Sequence, residues 1–161
     1  MNAQTILFYG NKTVEDSIAT LTAQEWLTVG ATSGWTPKDV LAHLLSYELL
    51  LEEALGHEVD RRTLPRIEKM GKDHDTFSDS EVAARKDRAV EVVLKEYHDA
   101  TKRVAALATK ISPERYRAVG TIPWYGGEYS LDDYIVYAIY AHKREHMGML
   151  RLFLKRLRSS S

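Results

Sequence analysis

The stretch "SGWTPKDVLAHLLSYELLLEEALG", residues 33–56, decides how the rest of the chain is read. Thr36 stands where a side-chain oxygen accepts from the free amides of a helix start. Pro37 suits the first helical position, and Asp39 favours the positive end of the helix dipole. Val40, Leu44, Tyr47, Leu51 and Leu55 then recur at helical spacing as one apolar stripe, and Gly56 marks the expected end. One such stripe cannot bury itself, so the neighbouring sequence must supply its partners.

On the N-terminal side, Ile6, Tyr9, Val14, Ile18 and Leu21 predict a helix from Thr5 to about Leu21, weakened at Gly10. Thr22, with Glu25 three residues on, reads as a capping box. On the other side, residues 57–78 are polar and interrupted by Pro65 and Gly71. They predict a long crossover connection with one helical turn near 64–70. Asp79 to Lys110 is helical again, with a break near Lys86 to Arg88. Val90, Leu94, Tyr97, Val104 and Leu107 face inward there. Ser112 and Pro113 open a short helix. "AVGTIPWYGGEYS" (118–130) is non-helical and is the one place that allows a short hairpin. Ser130, with Asp133, caps a last helix that runs to about Leu157, with Lys155, Arg156 and Arg158 suiting its negative end. Four long helices without strand-like alternation predict an all-α four-helix bundle with a long crossover connection, one domain over residues 1–161.

The totals narrow the function classes. Of the 161 residues, 44% are hydrophobic, enough for a core without disulfides. Twenty-two basic and 23 acidic residues leave a net charge of -1, so nucleic acid is not an expected partner. With no cysteine, thiolate nucleophiles and cysteine–zinc sites drop out. Histidine and carboxylate remain as metal ligands. No apolar run is long enough to span a bilayer. The opening "MNAQTILFYGNK" does not resemble a signal peptide, which favours a cytoplasmic location.

Chemistry concentrates in "AHKREHMGML" (141–150). His142 and His146 are four residues apart, on the stripe that also holds Ile135 and Ile139, so their rings lie one turn apart on one face. Two buried imidazoles without partners would cost several kcal/mol, on the order expected for unpaired polar groups. A shared divalent ion removes that cost, and so would ordinary hydrogen bonds. His43, beside the stripe of the 33–56 helix, is a third ligand if the two helices pack. Three histidines with open positions describe a catalytic metal site. Ligand softness allows Zn²⁺ or Ni²⁺, and Fe²⁺ after them. "HKREH" also has the H-x-x-E-H spacing of one metalloprotease class, but no acidic residue follows to complete that ligand set. Glu145 is either a general base toward a metal-bound water or an exposed residue supporting the site. Trp124, Tyr125 and Tyr129 precede the histidine helix. They either wall a substrate pocket, with Tyr47 beside them, or cap the bundle. His57, His74 and His98 read as solvated, and Trp26 and Trp35 as core.

"GWTPKDVLAHLL" and "AHKREHMGML", with the order of elements between them, resemble the DinB/YfiT-like superfamily, including its mycothiol-dependent maleylpyruvate isomerase-like branch. The resemblance runs from about Leu7 to Leu154, and the family's metal ligands map onto His43, His142 and His146. It implies a left-handed four-helix bundle with a divalent metal in a central cleft, often as a homodimer. Characterised relatives include transferases and isomerases that use bacillithiol, mycothiol or glutathione. The reading that follows is a metal-dependent enzyme acting on a small molecule, of the thiol S-transferase or isomerase type. Two alternatives stand beside it. One is a metal-dependent hydrolase with Glu145 as base. The other is a non-catalytic, stress-related bundle that binds a ligand or partner, with a structural metal or none.

Overall fold

A computed structural model describes residues 2–161. Its elements in chain order are α1 (Ala3–Ile18), α2 (Ala23–Trp26), α3 (Pro37–Asp60), α4 (Pro65–Lys72), α5 (Phe77–Ala83), α6 (Val90–Ala108), α7 (Pro113–Arg117) and α8 (Leu131–Tyr134). A π-helical segment (Ile135–Ala141) continues α8 directly into α9 (His142–Ser159). The four long helical bodies are therefore α1, α3, α6 and the run 131–159, as the sequence predicts. Pairing of α3 with α6 and of α1 with α9 and the π segment closes the bundle. Among the described residues there is no strand. The only bridge among them joins Thr32 and Trp35, so the aromatic loop, the one place that allows a short hairpin, forms none.

The helix starts follow local chemistry. At α3, the Thr36 amide donates to Asp39 Oδ2 (3.0 Å) and the Asp39 amide donates to Thr36 Oγ1 (3.2 Å). Thr22 with Glu25 and Ser130 with Asp133 form the same reciprocal box. Ser130 opens the helical run that carries two of the histidines. Ser130→Ala removes the acceptor of the Asp133 amide, and a thermal melt should show a loss of about 1 kcal/mol. An unchanged midpoint would mean that packing alone starts this helix.

Several sequence expectations are corrected, each for a tertiary reason. The first helix stops at Ile18, short of Leu21, and Tyr9 is 54% exposed. Its buried face runs through Ile6, Leu7, Gly10 and Val14. Gly10 does not interrupt α1 and sits on its buried face, where a Cβ would lie 3.4 Å from Tyr140 Cδ2, in ordinary contact with the π segment. Gly56 does not end α3, which continues to Asp60 and turns at Arg61 (φ 56°). A Cβ at Gly56 would meet Arg62 Cδ at 2.8 Å, so glycine there makes room for the returning chain. The polar connection holds an eight-residue helix, α4, rather than one turn, and α5 and α6 lie on either side of the break expected near 86–88. The start of α4 is capped from α3, since the Arg66 and Ile67 amides donate to the Glu53 carboxylate at 3.0–3.2 Å. α5 buries Phe77 and Val82 against α3 and fixes Arg85 between Glu81 (3.0 Å) and Glu96 (3.2 Å).

The core is two clusters rather than one. The first holds Ile6, Leu7, Leu50, Leu51, Val104, Tyr134 and Ile139, and the second Val14, Leu44, Leu45, Val93, Tyr97, Met147 and Leu150. The histidines lie near the boundary between them along the chain, His43 close before it on α3 and His142 just before Met147.

Candidate metal centre

His43 projects from the first third of α3 and is 5% exposed, whereas His142 and His146, at the start of α9, are half-buried. Their spacing of one turn stacks the α9 rings, and the approach of α9 to α3 completes the group. His43 Nε2 lies 2.9 Å from His142 Nε2, and His146 Nε2 lies 3.0 Å from the same atom. One ligand atom from each histidine falls within 4.8 Å of the others.

This geometry bears on the two readings left open. An imidazole nitrogen has one in-plane site, which holds either a proton or a lone pair. His142 Nε2 faces two other Nε2 atoms, so hydrogen bonding satisfies one of the two contacts at most. A single cation satisfies all three lone pairs. Tetrahedral Zn²⁺ with bonds of about 2.0–2.1 Å would hold neighbouring nitrogens about 3.3 Å apart. The two separations from His142 Nε2 are a few tenths of an ångström from that, and all three ligand atoms lie within 4.8 Å of one another. The three Nδ1 atoms are buried without hydrogen-bond partners among the described residues. The donor set therefore fits a divalent transition metal, with each ring held by packing instead of by an acceptor on its second nitrogen.

Neighbouring rings supply that packing. Trp35 lies 5.1 Å from His43 centroid to centroid, and Tyr47 lies 5.2 Å from His43 and 4.4 Å from His142. Trp35 reaches the site because the loop before α3 turns tightly at Gly34 (φ 83°), a conformation that favours glycine. Reading Trp35 only as core therefore missed its place against His43. Trp124 and Tyr125 each pack 5.0 Å from Tyr134, and Tyr129 packs on Tyr125 at 5.0 Å. These three rings build on Tyr134, while Tyr47 contacts the histidines directly. Glu145 is exposed and adjoins His146, whose protonation its charge favours. His98 bonds Glu15 (2.7 Å), His57 bonds the Arg62 carbonyl (2.7 Å) and His74 is exposed, so none joins the cluster.

Burial keeps the three imidazoles neutral and ready to ligate. Desolvation, then the His146 charge, lowers His43 to about 4. Desolvation, then His43, His146 and Lys143, lowers His142 to about 3. Desolvation also lowers His146, against Glu145. In the unfolded chain each returns to 6.5. Below that pH the unfolded state takes up protons that the folded state refuses, so stability is full above 6.5 and falls with pH. The slope is about 1.4 kcal/mol per pH unit for each histidine still neutral in the fold, down to about pH 4. Denaturant melts of metal-free protein at pH 7 and pH 5 should show this loss, and His43→Phe should reduce it. A flat profile would mean the rings are protonated freely in the folded state.

Sequence reasoning missed Lys143, Glu48 and Tyr134. Lys143, next to His142, is buried with Glu48. Its spacing on an amphipathic helix reads as solvated, and its partner lies 95 residues away.

A family model described as the mycothiol maleylpyruvate isomerase N-terminal domain matches residues 11–129. The matched segment contains His43, Tyr47, Trp124, Tyr125 and Tyr129 but stops before His142 and His146, whose assignment rests on the geometry above. No curated protein matches the chain, and no solved structure matches it.

Proposed function

Because the chain belongs to the mycothiol maleylpyruvate isomerase N-terminal domain family, a DinB/YfiT-like family, we propose a metal-dependent enzyme that acts on a small molecule by thiol S-transfer or isomerisation. The observation that carries this reading is the approach of three imidazole Nε2 atoms, two of them within 3.0 Å of the third. When bound, a divalent ion supplies Lewis acidity that lowers the pKa of a coordinated water or low-molecular-weight thiol.

The chain's own residues do the rest. His43 closes the buried side, and the half-buried His142 and His146 leave the opposite side open to a ligand. Tyr47 stacks against two of the rings and bounds the space next to them. Trp124, Tyr125 and Tyr129 form the aromatic substrate wall through Tyr134. Burial drives the Tyr134 phenol pKa up, with further upward pushes from Tyr47, Tyr125, Glu48 and Glu53, so this hydroxyl stays protonated and serves as a donor. Its oxygen is buried with no partner among the described residues. The hydrolytic reading has Glu145 in its favour, an exposed carboxylate beside His146. A homodimer and a cytoplasmic location belong to the same proposal. Exposed Phe8 and Tyr9 on α1 and Tyr137 on the adjoining π segment support the first. Among the described residues no helix is long and apolar enough to cross a membrane.

The test is a screen of electrophilic small molecules with mycothiol, bacillithiol and glutathione on Zn²⁺-loaded and Ni²⁺-loaded protein. Thiol consumption that requires both metal and His142 is the expected result. Loaded protein that consumes none of the three thiols, yet loses much thermal stability on chelation, would assign the metal to structure and defeat the enzyme reading.

A further inference from the structure

The apolar clusters of the bundle leave a gap on three of its long helices. On α3 the gap separates Leu45 from Leu50, on α1 Leu7 from Val14, and on the last helix Ile139 from Met147. Glu48, Asn11 and Lys143 stand in these gaps. Lys143 Nζ donates to Glu48 Oε2 (2.6 Å) and to Asn11 Oδ1 (2.5 Å). It also lies 5.5 Å from the centroid of the Tyr97 ring on α6, whose hydroxyl donates to the same Asn11 oxygen (3.2 Å). One ammonium group therefore touches all four long helical bodies. The Lys143 and Glu48 side chains are 2% and 0% exposed.

A buried ion pair is a poor source of stability, because both ions lose their hydration and an apolar pair of similar volume often does as well. It is a directional contact, however, and fixes register where leucines would slide. Glu48 lies five residues after His43, and Lys143 directly follows His142. The ion pair and the histidine cluster thus join the same two helices. A metal site tolerates positional errors of only a few tenths of an ångström in its ligands.

We propose that Glu48 and Lys143 are positioning residues for the metal ligands, locking α3 against the last helix in the register that brings His43 to His142 and His146. The proposal rests on the metal reading above. Charge alone would act differently. Lys143→Met would then tighten cation binding, Glu48→Gln would weaken it, and the apolar double variant Glu48→Leu/Lys143→Met would match wild type. If register is what matters, all three weaken binding.

Zn²⁺ titration by calorimetry separates these cases, with the visible spectrum of the Co²⁺ adduct as a second readout. The double variant should melt without metal at or above the wild-type temperature, bind Zn²⁺ about 10–100-fold more weakly and give an altered Co²⁺ spectrum. Wild-type affinity and spectrum in a folded double variant would overturn the proposal. Should the apolar pair not fold, Glu48→Asp keeps both charges and withdraws the carboxylate by one methylene. Weaker Zn²⁺ binding in that variant supports the positioning role, and unchanged binding removes it. A wild-type chain that takes up no Zn²⁺ removes the metal reading and this proposal together, whereas a binding wild type with an equally tight double variant removes this proposal alone.

Discussion

His142→Ala is expected to abolish high-affinity binding of Zn²⁺ or Ni²⁺ while leaving the fold intact. His142 is the centre of the cluster, since its Nε2 alone lies within 3.0 Å of both other Nε2 atoms. Removing it leaves His43 and His146, which come from different helices, so no pair on a single turn survives to hold the ion. His146→Ala and His43→Ala should each also weaken binding by at least about 100-fold. In metal-free protein His142→Ala should change stability little, because the lost packing is offset by removal of a half-buried imidazole without an adequate hydrogen bond. Calorimetric titration and a thermal melt on the same preparation check both halves. Retained tight binding would place the ion elsewhere. A collapse of the metal-free fold would mark His142 as a structural residue first.

The second large effect is on stability. Lys143→Met leaves the Glu48 carboxylate fully buried without its counter-ion, and Glu48→Gln leaves the ammonium with only neutral acceptors. Each single change should cost about 3–5 kcal/mol, lowering the melting temperature by roughly 10 °C in a chain of this size. Glu48→Leu/Lys143→Met should recover all of the loss, because no uncompensated charge remains inside. Urea melts of wild type, Lys143→Met, Glu48→Leu and Glu48→Leu/Lys143→Met form a double-mutant cycle whose coupling term is expected to be large and favourable. Single variants that lose less than about 1 kcal/mol would mean that water reaches the pair and that it is no more than a surface bridge.

These two effects differ in how far they could be read from the chain. The histidine cluster was legible because its signals are short-range. The four-residue spacing of His142 and His146 places both rings on one face, and His43 sits in the helix with the most evident cap and stripe. The caps at Thr22, Thr36 and Ser130 were legible for the same reason, since each box closes within three residues. Lys143 and Glu48 were not, because a charge in an amphipathic helix reads as solvated until a partner 95 residues away is brought beside it. Gly10 and Gly56 misled in a related way. Gly10 was read as a weak point and Gly56 as the helix end, but Gly10 lies on the buried face against Tyr140 and Gly56 lies inside α3 beneath the Arg62 side chain. The full length of α4 in the polar connection depends on Glu53, a tertiary partner. Nothing in "IVYAIYA" (135–141) distinguishes a π segment from an α-helix, and we have no physical account of why the helix widens there.

The central claim is that three imidazoles from two helices hold one divalent ion. It is tested most directly by titrating wild-type protein, purified without a nickel column and stripped by chelation, with Zn²⁺ while metal content is measured. The account expects binding that saturates at about one equivalent per chain and is lost in His142→Ala. Uptake below about a tenth of an equivalent after adding Zn²⁺ or Ni²⁺ would contradict it.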